Sequence, residues 1–222
     1  MFLNDILYFR YIGGDIMSEY IILVDEQDNE IGYGEKLDVH VKKQLHRAFS
    51  VFIYDQRNQK MLLQKRAEGK YHSGGKWSNA CCSHPRKGEV MEEALARRLQ
   101  EELGFSMPGK VTIHLYPDFP EHVEVQDMIE MGHFTYFAQF DGLAEHEIDH
   151  VYVYHPTEEQ VINMKCNPEE IAEYQWIDLE KLIEWMSDRP DDFSAWFKPA
   201  FNIAYDLLRD EAVWIEQTGC EL

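Results

Sequence analysis

The chain has 222 residues, of which 45% are hydrophobic, enough for one globular domain with a sizeable core. Its 41 acidic and 21 basic residues give a formal net charge of −20, and this negative field excludes a general nucleic-acid binder or a protein that docks on anionic membranes. Four cysteines without disulfide-framework spacing, and no cleavable signal or long apolar run in the sequence, predict a soluble cytoplasmic protein. An anionic substrate would therefore need a local cluster of cations.

Residues 1–16 fit neither a transit peptide nor a structural element, because they combine acidic residues and a glycine pair with a single arginine, Arg10. Met17 is a more natural start. We therefore expect residues 1–16 to be a disordered or extraneous leader and residues 17–222 to form a single domain.

The first predicted elements are four strands. The apolar run at residues 20–25 and the segment 31–34 are typical of a first and second strand that pair with each other. Residues 49–54 and 60–66 flank a polar turn at residues 55–59, a pattern that predicts a β-hairpin.

Two histidines, His40 and His46, lie between these strand pairs. Their separation of six residues fits neither one face of a helix nor the alternation of a strand. Taken alone, they would be interpreted as two surface histidines in a loop.

A basic loop with several glycines, residues 69–76, follows the hairpin. Several basic residues lie in or near this loop in the sequence and could supply the positive charge that a dianionic substrate needs. Any single one of them could instead be an ordinary solvated side chain. The candidate cations are Lys36, Arg66, Lys70, Lys76, Arg86 and Lys87. Their convergence in so acidic a chain favours a diphosphate or a similar dianion.

A cysteine-bearing strand and an amphipathic helix come next. Residues 77–82 are strand-like, and alternation would place Cys82 and His84 on the same side. Apolar residues then recur at every fourth position from residue 91 to 103, which predicts a helix with Gly104 as its C-terminal stop.

Further along, Glu145-His146-Glu147 opens a strand whose period of two puts both glutamates on one face and His146 on the other. Neighbouring carboxylates repel, so a metal ion or a raised pKa is expected, the alternative being a solvent-facing acidic edge. A short strand at residues 173–177 and two helices, the last reaching about Leu208, complete the chain. Mixed elements without regular βαβ alternation indicate an α+β fold, an α/β/α sandwich with a mixed β-sheet.

The segment from Ser83 to Phe105 resembles a Nudix box, Gly-x5-Glu-x7-Arg-Glu-U-x-Glu-Glu-x-Gly-U, where U is aliphatic. Ser83 replaces the opening glycine, and Arg98 replaces the glutamate after Arg97. The second change removes a carboxylate from the helix that gathers magnesium in hydrolases of this family. The resemblance therefore implies a Nudix-like fold and leaves hydrolysis in doubt.

The residues around this box resemble the type 1 isopentenyl-diphosphate isomerases, from about Tyr20 to Leu208. The matching features are Asn79-Ala80-Cys81-Cys82-Ser83-His84-Pro85, Glu145-His146-Glu147, Tyr136, Tyr174-Gln175-Trp176 and Trp196. The resemblance implies an enzyme of isoprenoid biosynthesis that converts isopentenyl diphosphate into dimethylallyl diphosphate through a carbocation. We expect it to act on this small-molecule prenyl diphosphate as a monomer or weak homodimer.

The same resemblance implies the site residues. The catalytic groups are Cys82 and Glu147 for proton transfer, Tyr136 as relay and Trp196 as the indole that faces the cation. The ligands of one Zn²⁺ or Mn²⁺ are His40, His46, His84, Glu145 and Glu147, with the interval from His40 to His46 one residue shorter than in the bacterial enzymes. Mg²⁺ would enter with the substrate diphosphate. The partners of Mg²⁺ would be Glu102 and the backbone of Cys82. Those of the diphosphate would be Lys36, Arg66, Lys70 and Arg98.

Two alternatives remain open at this point. A Nudix hydrolase of a nucleoside or prenyl diphosphate would release phosphate. A non-catalytic metal- or diphosphate-binding module would have no need of Cys82 and Tyr136 beside the glutamate pair.

Overall fold

The computed structural model describes residues 19–107, 109–118, 120 and 124–218, with side chains described up to residue 210. The predicted leader, residues 1–16, lies outside the described residues. The strands are β1 (Tyr20–Val24), β2 (Glu30–Glu35), β3 (His46–Asp55), β4 (Lys60–Arg66), β5 (Trp77–Asn79), β6 (Cys81–Ser83), β7 (Thr112–Leu115), β8 (Asp127–Gln139), β9 (Ala144–Tyr154) and β10 (Ile171–Ile177). The helices are α1 (Lys36–Val41), α2 (Met91–Leu103), α3 (Glu158–Ile162), α4 (Leu179–Asp188) and α5 (Phe197–Thr218), with a 3-10 turn at Pro190–Asp192.

The strands form one mixed sheet with the main order β10-β4-β3-β9-β8-β7. Strands β3 and β9 run parallel at its centre, while β8 with β9, and β4 with both β3 and β10, are antiparallel. The short strands attach to this path, β6 to β3 and β5 to β4. The predicted mixed sheet is confirmed, as are the pairing of the first two strands and the hairpin of β3 and β4.

Alternate residues of the central strands pack into two separate cores. Phe52 and Tyr54 face the core that contains the apolar sides of α4 and α5. Val51 and Ile53 face the core that contains α2. Because both faces of the central strands are covered by helices, the predicted α/β/α sandwich is confirmed.

Helix α2 follows its predicted pattern. Leu95 and Leu99 are fully buried against the sheet, and burial of each such side chain stabilises the fold by about 1.5–3 kcal/mol. Gly104 ends the helix at a φ of 73°, a left-handed conformation that favours glycine. The Phe105 N–H then donates to the carbonyl of Leu99 and closes the helix end.

Three local expectations were wrong. The segment with His40 is a short helix, α1, and not a loop, because Glu35 caps it by accepting a hydrogen bond from the Asp38 N–H. The strand expected at residues 77–82 breaks at Ala80, since its first part pairs with β4 and its second with β3. The last helix extends to Thr218, ten residues beyond the expected end. None of the helices described is both long and apolar enough to span a membrane.

Candidate active site

The register of three neighbouring strands gathers the predicted residues. Glu147 on β9 lies opposite His46 on β3 and opposite Tyr136 on β8. On the other side of β3, Ser50 lies opposite Cys82 on β6. Strand alternation therefore delivers a thiol, an imidazole, a phenol and a carboxylate to one end of the sheet.

The face prediction for β9 is confirmed. Glu145 and Glu147 are both buried, with 2% and 5% of their surface exposed. His146 lies on the other face, where its Nδ1 is 3.0 Å from the carbonyl oxygen of Lys43. The solvent-facing acidic edge considered from the sequence is therefore excluded.

Five of the predicted side chains form one buried cluster: His40, His46, His84, Glu145 and Glu147. One ligand atom from each lies within 4.8 Å of the ligand atoms of the other four. The alternative that His40 and His46 are surface histidines, which each would suggest if taken alone, is excluded because both are fully buried. Burying five polar or charged side chains together destabilises the fold unless a ligand such as a metal ion compensates for their lost hydration.

The orientation of the imidazoles suits a cation. Nδ1 of His40 is 2.6 Å from the Lys36 carbonyl oxygen, and Nδ1 of His46 is 2.8 Å from that of Gln44. Because a carbonyl only accepts, each Nδ1 donates and each Nε2 turns a lone pair into the cluster. The Nε2 atoms of His46 and His84 lie 3.2 Å apart, and both face Oε1 of Glu147, at 3.3 Å and 2.8 Å respectively.

Two atoms at the centre of the cluster support the same fit. Nε2 of His40 and Oε2 of Glu145 are buried and lie 3.2 Å apart, yet neither makes a hydrogen bond of good geometry within the described part of the chain. Burial lowers the pKa of His84 to about 4, which keeps that ring neutral and able to bind a metal. The donor set is thus compatible with a divalent metal ion.

The glutamate pair is not relieved by a raised pKa at Glu145. Burial alone would raise the pKa of this carboxyl group, but its interactions with Glu147, His40 and His72 outweigh that effect and hold the pKa well below its ordinary value. Of the two remedies expected from the sequence, a raised pKa is therefore not found at Glu145, whereas the surrounding ligand atoms are compatible with a metal ion.

Cys82 is held as a thiol by its neighbours. Its Sγ donates to Oδ1 of Asn79 at 3.0 Å and accepts from Nε1 of Trp196 at 3.1 Å. The Asn79 amide has a fixed orientation, because its Nδ2 donates to the carbonyls of Val51 and Cys81. Burial raises the pKa of Cys82 to about 12.

Tyr136 is coupled directly to the glutamate pair. Its hydroxyl donates to Oε2 of Glu147 at 2.6 Å. Burial, with the nearby charge of Glu147, raises the pKa of Tyr136 well above its ordinary value, so the phenol remains protonated.

Cys82, Tyr136, His84 and the two glutamates line one cavity of about 290 Å³, just below the ~300–1,000 Å³ typical of small-molecule sites, whereas His40 and His46 are not among the described residues that line it. The cavity brings together the predicted catalytic residues and the predicted cations: Cys82, Glu147, Tyr136, Trp196, Lys36, Arg66, Lys70 and Arg98. Glu102 is not among the described residues that line it. Its carboxylate accepts instead from Arg98 Nη2 at 2.6 Å and from Cys81 Sγ at 3.2 Å.

Most of the cations already have carboxylate partners. Lys36 Nζ lies 3.0 Å from Glu19, and Lys70 contacts Glu170. Arg98 bridges Glu102 and Glu170, the second at 3.3 Å. Arg66 differs, because its guanidinium lies over the Trp196 ring at 5.0 Å from the centroid.

His72, Asp149 and Glu170 are among the cavity-lining residues that sequence reasoning missed. His72 contacts Glu145 from the basic loop, and its position between two predicted cations was the available signal. Burial raises the pKa of Asp149 well above its ordinary value, and Ser50 Oγ donates to its Oδ2 at 2.8 Å. Asp149 continues the alternation of Glu145 and Glu147, so the strand period could have identified it.

Comparison with known proteins agrees with this geometry. The NUDIX domain model matches residues 44–197. The crystal structure of DR0079 from Deinococcus radiodurans superposes with a TM-score of 0.54 at 18% identity, covering 77% of this chain and 90% of that one, which supports the fold alone.

Curated relatives are more similar. The isopentenyl-diphosphate Delta-isomerase 2 of Photorhabdus laumondii is 41% identical over 84% of this chain and 92% of its own length. The isopentenyl-diphosphate Delta-isomerase of Serratia proteamaculans is 42% identical over 88% of this chain and 94% of its own length. With the NUDIX match across most of the chain, these identities show that the protein belongs to the isopentenyl-diphosphate Delta-isomerase family within the Nudix superfamily.

Proposed function

We propose that this protein converts isopentenyl diphosphate into dimethylallyl diphosphate, a step of isoprenoid biosynthesis. One observation carries the proposal: the Cys82 thiol, hydrogen-bonded to the Trp196 indole N–H, and the hydrogen-bonded pair of Tyr136 and Glu147 line the same cavity as a set of cations. Residues 17–222 would act as a single domain, as a monomer or weak homodimer.

The reaction makes demands that these side chains meet. Moving the double bond adds a proton to the terminal carbon of an unactivated alkene and removes one from C2, with a tertiary carbocation between the two steps. The site must therefore hold two proton-transfer groups and exclude free water. Cys82 and Glu147 are the proposed pair, with Tyr136 relaying the proton on the carboxyl side.

Trp196 is the proposed partner of the developing cation. Its side chain is 3% exposed, and its Nε1 is already used by the Cys82 sulfur, so its position beside the thiol is fixed. The π-face of an indole in a desolvated site stabilises a cation by about 2 kcal/mol.

The buried cluster is proposed to hold one Zn²⁺ or Mn²⁺ through His40, His46, His84, Glu145 and Glu147. When bound, the ion supplies positive charge that adjusts the acidity of Glu147. The role of the chain itself is to fix the tautomers of His40 and His46 through backbone carbonyls and to hold both carboxylates in position.

The cations of the cavity are proposed to bind the substrate diphosphate. Lys36, Arg66, Lys70 and Arg98 line the cavity and would contact its oxygens. Glu102, whose carboxylate accepts from Arg98, and the backbone of Cys82 would hold Mg²⁺, which would supply further positive charge for the diphosphate. Arg98 stands where a Nudix hydrolase keeps a glutamate, and it both lines the cavity and contacts Glu102, the proposed Mg²⁺ ligand. The same substitution removes a hydrolytic carboxylate and adds a phosphate-binding cation.

The proposal is tested by incubating the purified protein with isopentenyl diphosphate and Mg²⁺ and measuring dimethylallyl diphosphate and inorganic phosphate together. We expect the allylic product without phosphate release. Phosphate release without the allylic product would support a hydrolase and overturn the proposal.

A further inference from the structure

His72 lies in the basic loop between β4 and β5, outside the five residues of the metal cluster. Although loops are usually exposed, only 8% of the surface of His72 is accessible. Its Nε2 contacts Oε1 of Glu145. His40 and His46 face the other oxygen, Oε2, of the same carboxylate.

The His72 ring is held by packing on two sides. It stacks on Phe140 with ring centroids 4.9 Å apart, and it meets the edge of Trp196 at 5.8 Å. Its Nδ1 lies 3.3 Å from Oγ of Ser73. The imidazole therefore cannot turn away from Glu145 without losing contacts with aromatic side chains from two other parts of the chain.

The two oxygens of the Glu145 carboxylate therefore have different partners. One oxygen faces the histidine cluster, and the other is occupied by His72. A carboxylate whose outer oxygen is hydrogen-bonded is fixed in rotation, so that its inner oxygen stays directed at the metal position.

We propose that His72 is a positioning residue for the metal site, which donates from Nε2 to Oε1 of Glu145 and thereby raises the affinity of the cluster for its ion. The inference rests on the metal site of the proposed function and adds a residue outside its ligand set. The same contact ties the loop that carries Lys70 to the metal cluster, since Lys70 and His72 are two residues apart.

The experiment measures the Zn²⁺ affinity of the purified protein by competition with a chromophoric chelator. His72→Phe keeps an aromatic ring against Phe140 and Trp196 but removes the donor, and we expect it to bind Zn²⁺ about 10–100-fold more weakly. His72→Gln restores an N–H donor at a similar reach and should bind within about threefold of the wild type.

His146→Ala is the matched control. His146 is adjacent in sequence to both cluster carboxylates, but its side chain lies on the opposite face of β9. We expect its Zn²⁺ affinity to equal that of the wild type. Thermal unfolding of the metal-free proteins shows that each variant is folded.

Equal Zn²⁺ affinity of folded His72→Phe and wild type would overturn the role of His72, as would a His72→Gln variant as weak as His72→Phe. A wild-type protein that binds no Zn²⁺ in the competition would instead overturn the metal site of the proposed function. The two failures are thus distinguished in one experiment.

Discussion

Two groups of residues at the cavity differ in how their charges are paired. The metal half is the buried cluster of three histidines and two glutamates, and the diphosphate half is the set of cations Lys36, Arg66, Lys70 and Arg98. The metal half directs the Nε2 lone pairs of His40 and His46 inward and leaves Glu145 Oε2 without a hydrogen bond in the part of the chain described. The diphosphate half, by contrast, is already neutralised: three of its cations contact carboxylates, in the pairs Lys36–Glu19, Lys70–Glu170 and Arg98–Glu102. One half presents buried ligand atoms that are compatible with a divalent metal ion, while in the other half phosphate oxygens would have to replace carboxylates as the partners of the cations.

The net charge of −20 explains this difference. Free cations at the edge of so acidic a chain attract its carboxylates, and a buried cation without a partner would be costly. The free energy of binding a diphosphate is therefore only the difference between the cation–phosphate contacts that form and the cation–carboxylate contacts that are lost. This arrangement favours a doubly charged, multidentate ligand over a simple monoanion.

Arg66 is the exception in the diphosphate half. It stacks on Trp196, and its buried Nε has no hydrogen-bond partner among the described residues. It is therefore the cation that can accept a phosphate without first giving up a carboxylate. It also joins the diphosphate half to the indole proposed to face the carbocation.

The largest expected effect comes from removing the Cys82 thiol, which lines the cavity together with residues of both halves. Cys82→Ala should lower kcat by about 10³-fold, because a positioned proton-transfer group contributes roughly 10²–10⁴-fold. The Zn²⁺ content should not change, since the sulfur lies outside the metal cluster. Steady-state kinetics and elemental analysis measure the two quantities.

Cys81→Ala is the control for that variant. Cys81 is fully buried and contacts Glu102, so its loss should affect stability slightly and leave kcat within a few-fold of the wild type. An active Cys82→Ala, or an inactive but folded Cys81→Ala, would reverse the assignment of the two cysteines.

The next effect tests whether the metal half depends on its carboxylates. Glu145→Gln removes a buried charge that accepts contacts from His40 and His72, and we expect Zn²⁺ affinity to fall by at least about 10²-fold. Chelator competition measures this affinity. Inorganic diphosphate binding in the presence of Mg²⁺ should change much less, and a comparable loss of both would mean that the halves are not separate.

A smaller effect is expected in the diphosphate half. Arg66→Lys keeps the charge but removes the planar fork and its stacking on Trp196, so KM should rise about tenfold with a smaller change in kcat. Lys65→Ala is the control, because Lys65 lies one residue earlier and is directed at Glu173, 4.0 Å away. If KM responded equally to both substitutions, Arg66 would have no special role.

The smallest effect concerns the carboxylates that neutralise the cations. Burial would raise the pKa of Glu19, but Lys36 and Arg86 outweigh it and lower the pKa from 4.5 to about 2. Because the folded pKa lies below the unfolded one, the stabilisation is present above the unfolded value and is lost as the pH falls toward the folded value. After allowance for solvent screening, Glu19→Gln should lower the free energy of unfolding by about 1 kcal/mol at neutral pH.

That difference should shrink as the pH falls below about 4.5, the ordinary pKa of the carboxyl group. Urea unfolding of the metal-free proteins over a series of pH values measures it. Glu26→Gln, at an exposed carboxylate in the turn after β1, should change the free energy of unfolding by less than about 0.5 kcal/mol. A difference between wild type and Glu19→Gln that stays constant down to acid pH would contradict the ion-pair explanation.

Much of the site could be predicted because it lies on regular elements. The period of β9 placed Glu145 and Glu147 on one face, and the period of four in α2 placed its buried leucines and its stop at Gly104. These patterns depend on local backbone geometry alone, which the sequence encodes directly.

The remaining features depend on contacts between distant segments. His72 reaches Glu145 because the basic loop turns through left-handed conformations at Ser73, with a φ of 52°, and at Gly75, with a φ of 72°. A Cβ atom at Gly74 would lie 2.7 Å from the backbone carbonyl oxygen of Glu68, so a side chain has no room at that position of the loop. The Glu170 partner of Lys70 is 100 residues away in sequence, and no local pattern predicts that pairing.

The central claim is that this one cavity adds a proton to the substrate and removes another without cleaving the diphosphate. The most direct measurement is the reaction of isopentenyl diphosphate in D₂O, analysed by NMR and mass spectrometry. We predict dimethylallyl diphosphate with deuterium in the methyl group derived from the terminal methylene, and no inorganic phosphate. An allylic product without deuterium, or phosphate release in its place, would contradict the claim.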